Sequence, residues 1–233
     1  MHSFLYGTCI TVLYIIAMVG VMMLVRKLFP IPDELFRKIL HFILLGAYIP
    51  LVFAFEAWWM SAIFAASLII ILFPALSIAS KIPMLSIFII ERKKGEFLSS
   101  MVLAVGMMAF SVIVCWGLFG DRYLVLAVIY AWGIGDGLAA LVGKRFGKHK
   151  IKWKLADGKK SVEGSAAMFL CSLVAVFTVL MVRGGIGMPM CCAIALLAAL
   201  VCTVTELCAK DGWDTVLCPV SAMIVIIPLV MLF

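Results

Sequence analysis

The sequence predicts an all-α integral membrane protein, built as a multi-pass bundle of about eight transmembrane helices. Three observations lead to this fold class. Hydrophobic residues make up 66% of the 233 residues and charged residues only 13%, and the mean hydropathy is +1.24. A soluble domain of this size has no core large enough for so much apolar surface. The apolar runs are also longer than a core helix needs, since crossing a bilayer takes about 20 residues.

Eight apolar segments reach or approach the length of a membrane span. In chain order they cover 4–25, 39–55, 57–79, 97–119, 122–142, 162–182, 188–208 and 214–232. No soluble appendage, internal repeat or long low-complexity segment interrupts the series. We therefore expect residues 1–233 to form a single transmembrane domain.

The charged residues predict the orientation of the bundle. Seventeen of the 19 Lys and Arg residues fall in alternate connections, and the exceptions are Arg122 and Arg183. The positive-inside rule places the basic side in the cytoplasm, so both termini are expected outside. Most acids lie on the same side, leaving only Glu56 and Asp121 opposite. The net charge of +7 follows from this asymmetry and from anionic lipid headgroups, and does not indicate nucleic-acid binding.

The fifth span combines glycines with an acid. Gly133 and Gly137 have the small-xxx-small spacing typical of closely packed helices, and Gly135 lies between them. Packing does not explain Asp136, because an acid at the centre of a bilayer costs on the order of 3 kcal/mol. Such a carboxylate either binds a divalent cation or pairs with a buried Lys or Arg, and we regard Asp136 as a functional candidate.

The connection from Gly143 to Lys160 is strongly basic, with eight cations against one acid. Part of this charge is a topology signal. However, Lys160 and Ser161 fall at the start of the sixth span, where unpaired N–H groups and the helix dipole favour phosphate. The spacing is not that of a Walker A loop. The candidates for contact with a triphosphate are Lys144, Arg145, Lys159, Lys160 and Ser161.

Three further acids are candidate ligands on the cytoplasmic side. Glu163 follows Lys160 by three residues and is either a capping partner at the helix start or a ligand of Mg²⁺. Glu206 and Asp214 bracket a tight turn between the last two spans. Carboxylates in this arrangement suit a divalent metal.

A basic patch enters the membrane with the second span. Arg37, Lys38 and His41 share one helix face through their i, i+3 and i, i+4 spacing. Neighbouring cations favour a neutral imidazole that accepts a proton. His41 is accordingly either a general base or an ordinary polar residue at the interface.

Taken together, these motifs resemble the membrane polyprenol and diacylglycerol kinase family, which includes phytol kinase, dolichol kinase and CTP-dependent diacylglycerol kinase. The resemblance rests on their order and spacing, from Arg37-Lys38-x-x-His41 through Gly135-Asp136-Gly137 and Lys160-Ser161-x-Glu163 to Glu206 and Asp214. It implies transfer of the terminal phosphate of a nucleoside triphosphate, typically CTP, to a lipid hydroxyl. It also implies that Asp136, Lys160, Ser161 and Glu163 line the nucleotide site. Thr215 departs from the family, which tends to carry Asn after the Asp.

Each candidate residue has an expected role in such a kinase. Mg²⁺ is expected on Asp136, Glu163 and Asp214. His41 or Glu206 is expected to act as the general base toward the lipid alcohol, with Asp136 also at the catalytic centre. The expected nucleotide contacts are Arg37, Lys38, Gly135, Gly137, Lys144, Arg145, Lys159, Lys160 and Ser161.

Two other functions fit parts of the sequence. A CTP:phosphatidate cytidylyltransferase uses the same nucleotide but attacks its α-phosphate, and the Asp-rich terminal signature expected of it is not evident here. A lipid transporter or flippase would use intramembrane charges for coupling. Inverted repeats and acids near the midplane are expected of a transporter, and neither is clear in this sequence.

The orientation can be tested with reporter fusions. Alkaline phosphatase, which is active only outside the cytoplasm, is expected to be active when fused after Phe233 and inactive when fused after Lys148. A cytoplasm-active fluorescent protein at the same two positions provides the reciprocal control. The opposite pattern of reporter activities would show that the bundle has the opposite orientation in the membrane.

Overall fold

The computed structural model describes residues 2–79, 96–151, 160–210 and 212–233. Regular structure in these ranges is helical, with a single isolated β-bridge and no strand, which confirms the predicted all-α class. Seven of the described helical segments are long and apolar enough to cross a membrane. Lys159, one of the expected nucleotide contacts, lies outside the described residues.

The described residues form nine α-helices. In chain order they are α1 (His2–Leu28), α2 (Asp33–Gly46), α3 (Tyr48–Phe53), α4 (Trp58–Ala79), α5 (Glu96–Ser111), α6 (Arg122–Phe146), α7 (Val162–Arg183), α8 (Met188–Cys208) and α9 (Asp214–Met231). A π-helical segment, Val112–Leu118, continues α5. The predicted third span corresponds to α4, whose described apolar stretch, Trp58–Pro74, is shorter than the other spans.

The predicted second span differs most from the structure. The helix begins earlier, at Asp33, and is interrupted at Ala47 before α3 completes it. Pro50 explains the interruption, since proline is tolerated in the first turn of a helix but lacks the N–H that a continuous helix needs. The Tyr14 hydroxyl of α1 donates a hydrogen bond to the Ile43 carbonyl near the break (3.2 Å). This contact ties the broken span to its neighbour.

Contacts group the helices into two compact units, Met1–Gly117 and Leu118–Phe233. In the first unit, α1 packs on α2, α3 and α4, and α5 packs on α4. At the end of α1, the Arg26 guanidinium lies 4.1 Å from the Phe36 ring centroid and bonds Asp33 Oδ1 at 2.9 Å. The second unit is a four-helix bundle in which α6, α7, α8 and α9 pack in series and α9 closes against α6.

The most extensive helix contact of the second unit joins α6 and α7, and small residues line it. A methyl group placed on Gly135 would overlap Met168 and Ser172 of α7. One placed on Gly164 would come within 3.1 Å of the Ala139 carbonyl oxygen and 3.3 Å of Gly143 Cα. The Ser172 hydroxyl also donates to the Ala131 carbonyl across the contact. The two helix backbones therefore approach closely over several turns.

An ion pair joins the opposite ends of the same two helices. Asp121 caps α6 by accepting a hydrogen bond from the Tyr123 N–H (2.8 Å), and its other oxygen contacts the Arg183 side chain at the end of α7. Arg183 in turn donates to the Gly184 carbonyl (3.0 Å). These contacts fix α7 against α6 at the end remote from Lys160.

Replacing Gly164 by Val is expected to destabilise the second unit by about 1–3 kcal/mol, because the added atoms meet the α6 backbone. Thermal unfolding of the purified protein in detergent would measure the change. Gly106→Val in α5 is the matched control, since a methyl group at Gly106 meets nothing within 4 Å. Equal destabilisation by the two substitutions would contradict the close α6–α7 contact.

Candidate functional site

Backbone hydrogen bonds hold together the two described ends of the connection between α6 and α7. The Gly147 N–H donates to the Gly143 carbonyl (3.1 Å) as α6 ends. On the return, the Ile151 N–H bonds the Lys160 carbonyl and the Val162 N–H bonds the His149 carbonyl, each at 3.0 Å. These bonds hold Lys160 immediately before α7.

Ser161 caps the start of α7. It is the N-cap residue of α7, and its hydroxyl oxygen accepts a hydrogen bond from the Gly164 N–H (3.2 Å). Its side chain is buried against Gly143 and Gly147, where a larger residue than glycine would collide with it. The hydroxyl predicted to contact phosphate is thus engaged in capping, a structural role worth about 1 kcal/mol.

Lys160 forms a largely buried ion pair with Glu206. The ammonium contacts Glu206 Oε1 in the last turn of α8, and the two side chains are 22% and 5% exposed, respectively. A buried ion pair is costly to desolvate and is seldom retained for stability alone. Removing either partner would therefore leave a largely buried charge without its counter-ion.

Two further carboxylates act on the same ammonium. Burial lowers the pKa of Lys160, but the charges of Glu206, Asp214 and Asp136 outweigh burial and raise it above the ordinary lysine value. Three acids thus act electrostatically on one ammonium, and we call Asp136, Lys160, Glu206 and Asp214 the charged cluster.

The cluster extends into the bundle from the end where α7 begins. Asp136 is ten residues before the end of α6 at Phe146, or about 15 Å along the helix axis at 1.5 Å per residue. Farther into the bundle, the buried thiols of Cys202 and Cys218 contact each other's carbonyl oxygens at 3.7 and 3.8 Å. Cys202 and Cys218 lie about one helix turn from Glu206 and Asp214, respectively.

The turn between α8 and α9 places Asp214. Gly212 has a φ of +85°, a conformation that glycine adopts without strain, and the Trp213 N–H donates to the Lys210 carbonyl at 3.0 Å. Asp214 begins α9, and its side chain accepts a hydrogen bond from the Thr215 N–H (3.0 Å). Thr215 thus contacts the Asp214 carboxylate through its backbone N–H.

Glu163 has a different partner from those predicted. Its carboxylate accepts hydrogen bonds from the His149 backbone N–H (3.3 and 3.4 Å) and lies 2.7 Å from His149 Nδ1. The capping partner of Ser161 is instead Gly164. Within the described part of the chain, no three His, Cys, Asp or Glu side chains are arranged as a metal site.

The remaining candidates occupy three environments. Gly135 and Gly137 are buried in α6, with Gly135 in the contact with α7. Lys144 and Arg145 are exposed in the last turn of α6, where the Arg145 guanidinium lies 5.3 Å from the Phe146 ring centroid. The members of the basic patch in the first unit are partly buried on α2, and their roles stay predictions: Arg37, Lys38 and His41.

Two pairings were not foreseen from the sequence: Lys160 with Glu206, and His149 with Glu163. All four residues lie on the predicted basic side, and this shared location was the sequence signal for the two pairs. The partners within each pair depend on how the helices are rotated about their axes, and charge counting along the sequence does not determine that rotation.

No family model, curated protein or solved structure matches this chain. The resemblance to membrane lipid kinases therefore stays a prediction.

Replacing Lys160 by Met is expected to destabilise the protein by about 3 kcal/mol, because it leaves the buried Glu206 carboxylate without its cation. Adding Glu206→Gln should recover part of the loss, and unfolding in detergent would complete the double-mutant cycle. Since the pKa of Lys160 is raised, the stabilisation should persist through neutral pH and be lost as the pH rises through the folded-state value.

The pair of Arg26 with the more exposed Asp33 is the control, with an expected coupling of about 1 kcal/mol or less. Equal coupling in the two pairs would contradict the buried character of Lys160 and Glu206.

Proposed function

We propose that this protein is a multi-pass membrane kinase that transfers the γ-phosphate of CTP, or of another nucleoside triphosphate, to the hydroxyl of a lipid alcohol. The acceptor class comprises phytol, other prenols and diacylglycerol. The observation that carries the proposal is the charged cluster, in which Lys160 lies among Glu206, Asp136 and Asp214 at the start of a helix. Phosphoryl transfer requires little more than such positioned charges.

The carboxylates of the cluster favour a nucleotide that carries a divalent metal. Mg²⁺ would bring the triphosphate and these carboxylates together, since it is attracted to both. Asp136 and Asp214 supply the hard oxygen ligands that Mg²⁺ prefers, and the metal usually takes only one or two protein carboxylates besides phosphate and water. When bound, Mg²⁺ would neutralise charge on the phosphates. Glu163 joins this set only by leaving His149.

The start of α7 is suited to bind the phosphates. The positive end of the α7 dipole favours an anion, and the Lys160 ammonium directly precedes this helix. Lys144 and Arg145 are exposed at the end of α6, and their charges attract an anionic ligand from solution. Lys160 thus contacts the transferred phosphate, while the exposed cations assist its approach.

The membrane setting favours a lipid as the acceptor. The helices that carry the cluster have exposed apolar side chains along their length, for example Leu170 and Val174 of α7 and Leu196 and Leu200 of α8. Lipid chains cover such surfaces in a bilayer. A lipid alcohol can therefore reach the cluster laterally while the nucleotide arrives from the water.

Phosphate labelling of the lipid tests the proposal. Purified protein in mixed micelles with phytol, a longer prenol or diacylglycerol is expected to transfer label from γ-labelled CTP to lipid and to leave α-label on the released nucleotide. Transfer of α-label to phosphatidate, with release of pyrophosphate, would instead identify a cytidylyltransferase. Lipid translocation in proteoliposomes without nucleotide hydrolysis would support a transporter.

Replacing Asp136 by Asn is expected to lower the rate of γ-phosphate transfer at least about 100-fold, because the cluster loses a metal-binding carboxylate. Transfer of γ-label from CTP to lipid measures the effect at matched protein level. Asp33→Asn is the control, since Asp33 is an exposed acid in the first unit and should leave the rate unchanged. Near-normal activity of Asp136→Asn would remove Asp136 from the site.

A further inference from the structure

We propose that an open recess between α4 and α5, with its π-helical continuation, binds one acyl chain of a bilayer phospholipid. The recess has a volume of about 260 Å³ and lies within the first unit. The α4 residues that line it are Trp58, Trp59, Ala62, Ile63 and Ala66. The inference is independent of the charged cluster and of the kinase proposal.

Small side chains create the recess. Ala62 and Ala66 lie about one turn apart on α4, and Ala109 and Ile113 line the recess from the other helix. Helices in a well-packed protein normally fill the space between them with side chains. Three of the lining side chains here are single methyl groups, so they leave open the space that larger apolar residues would occupy.

The π-helical segment Val112–Leu118 holds one wall of the recess in place. A methyl group placed on Gly117 would come within 3.0 Å of the Trp58 ring, so this ring packs directly against Gly117. Ile113 of the same segment also lines the recess. Short π-helical segments occur frequently at functional sites. The segment therefore positions two of the side chains that form the recess.

The chemistry of the lining selects a hydrocarbon. Apart from the two indole N–H groups, the described residues that line the recess carry only apolar side chains. Such a lining gives water and ions too few polar partners. An empty recess would also forfeit dispersion contacts along its lining. Since an apolar cavity of about 150 Å³ takes up benzene, this larger recess has room for a stretch of lipid chain.

The surroundings of the recess identify a phospholipid as the source of that chain. Ile63 and Ile113 are 54% and 40% exposed, so the recess is continuous with the apolar surface that the bilayer covers. Trp58 and Trp59 begin α4, and tryptophans at a helix end lie at the level of the lipid headgroups. Ala66 follows about 12 Å farther along the axis. The recess thus extends from the headgroup level into the hydrocarbon, as a phospholipid acyl chain does.

Photolabelling of the purified full-length chain in nanodiscs tests the proposal. Phosphatidylcholine with a diazirine in its acyl chain is expected to label residues 58–66 and 109–113 at least about fivefold more than the exposed stretch around Leu170 and Val174, because a bound chain resides longer than passing lipid. Equal labelling of all exposed apolar surfaces would reduce the recess to ordinary bilayer contact and overturn the inference. Cross-links between two chains at these residues would also overturn it, by showing that a second copy fills the recess.

Filling the recess provides matched variants. Ala66→Phe places a ring in the space and is expected to reduce labelling of residues 58–66 at least about fivefold. Ala193→Phe, at an exposed position of α8, is the control and should leave this labelling unchanged. Ala109→Phe fills the recess from the other helix and keeps the test decisive if Ala66→Phe does not fold. Unchanged labelling in a folded filling variant would contradict binding in the recess.

Competition in detergent micelles identifies the lipid. Excess unlabelled phosphatidylcholine is expected to displace the photoreactive lipid, whereas phytol at the same concentration should displace at least about fivefold less, because it has no ester groups at the level of the tryptophans. Displacement by phytol and not by phosphatidylcholine would assign the recess to a prenyl chain and overturn the inference. Failure of the kinase proposal is read separately, as absence of γ-label transfer from CTP to lipid.

Discussion

The close approach of α6 and α7 is the constraint on which the candidate site depends. Gly135, Gly143 and Gly164 bring the two backbones together, and the connection between the helices returns Lys160 to the edge of this contact. With larger residues there, α7 would stand away from α6 and Lys160 would no longer share a cluster with Asp136. Helix packing and site chemistry therefore have the same origin in the sequence, which is why glycines flank the acid of α6.

The charged cluster is the feature on which the proposed function rests. Burying the ion pair of Lys160 and Glu206 costs desolvation energy, and the charges of Asp136 and Asp214 act on the same ammonium. In the proposed kinase, Mg²⁺ on these carboxylates would carry the triphosphate to Lys160. Glu163 stands apart from this arrangement, paired with His149 on the connection that carries Lys160.

Much of the fold was accessible from the sequence, because apolar runs and the distribution of charge report membrane spans directly. The interruption at Ala47 was missed, since the effect of Pro50 depends on where the helix turns begin. Pairings across the bundle were harder still. Asp121 and Arg183 were evident as opposite charges on the sparsely charged side, yet 46 residues separate Lys160 from Glu206, and only packed helices show that they meet.

An experimental structure of the full chain with Mg²⁺ and a non-transferable CTP analogue would test the central claim most directly. The account predicts that the Lys160 ammonium lies on the phosphates and that the metal lies on Asp136 and Asp214. A nucleotide bound away from Lys160, or a metal that contacts neither Asp136 nor Asp214, would contradict it.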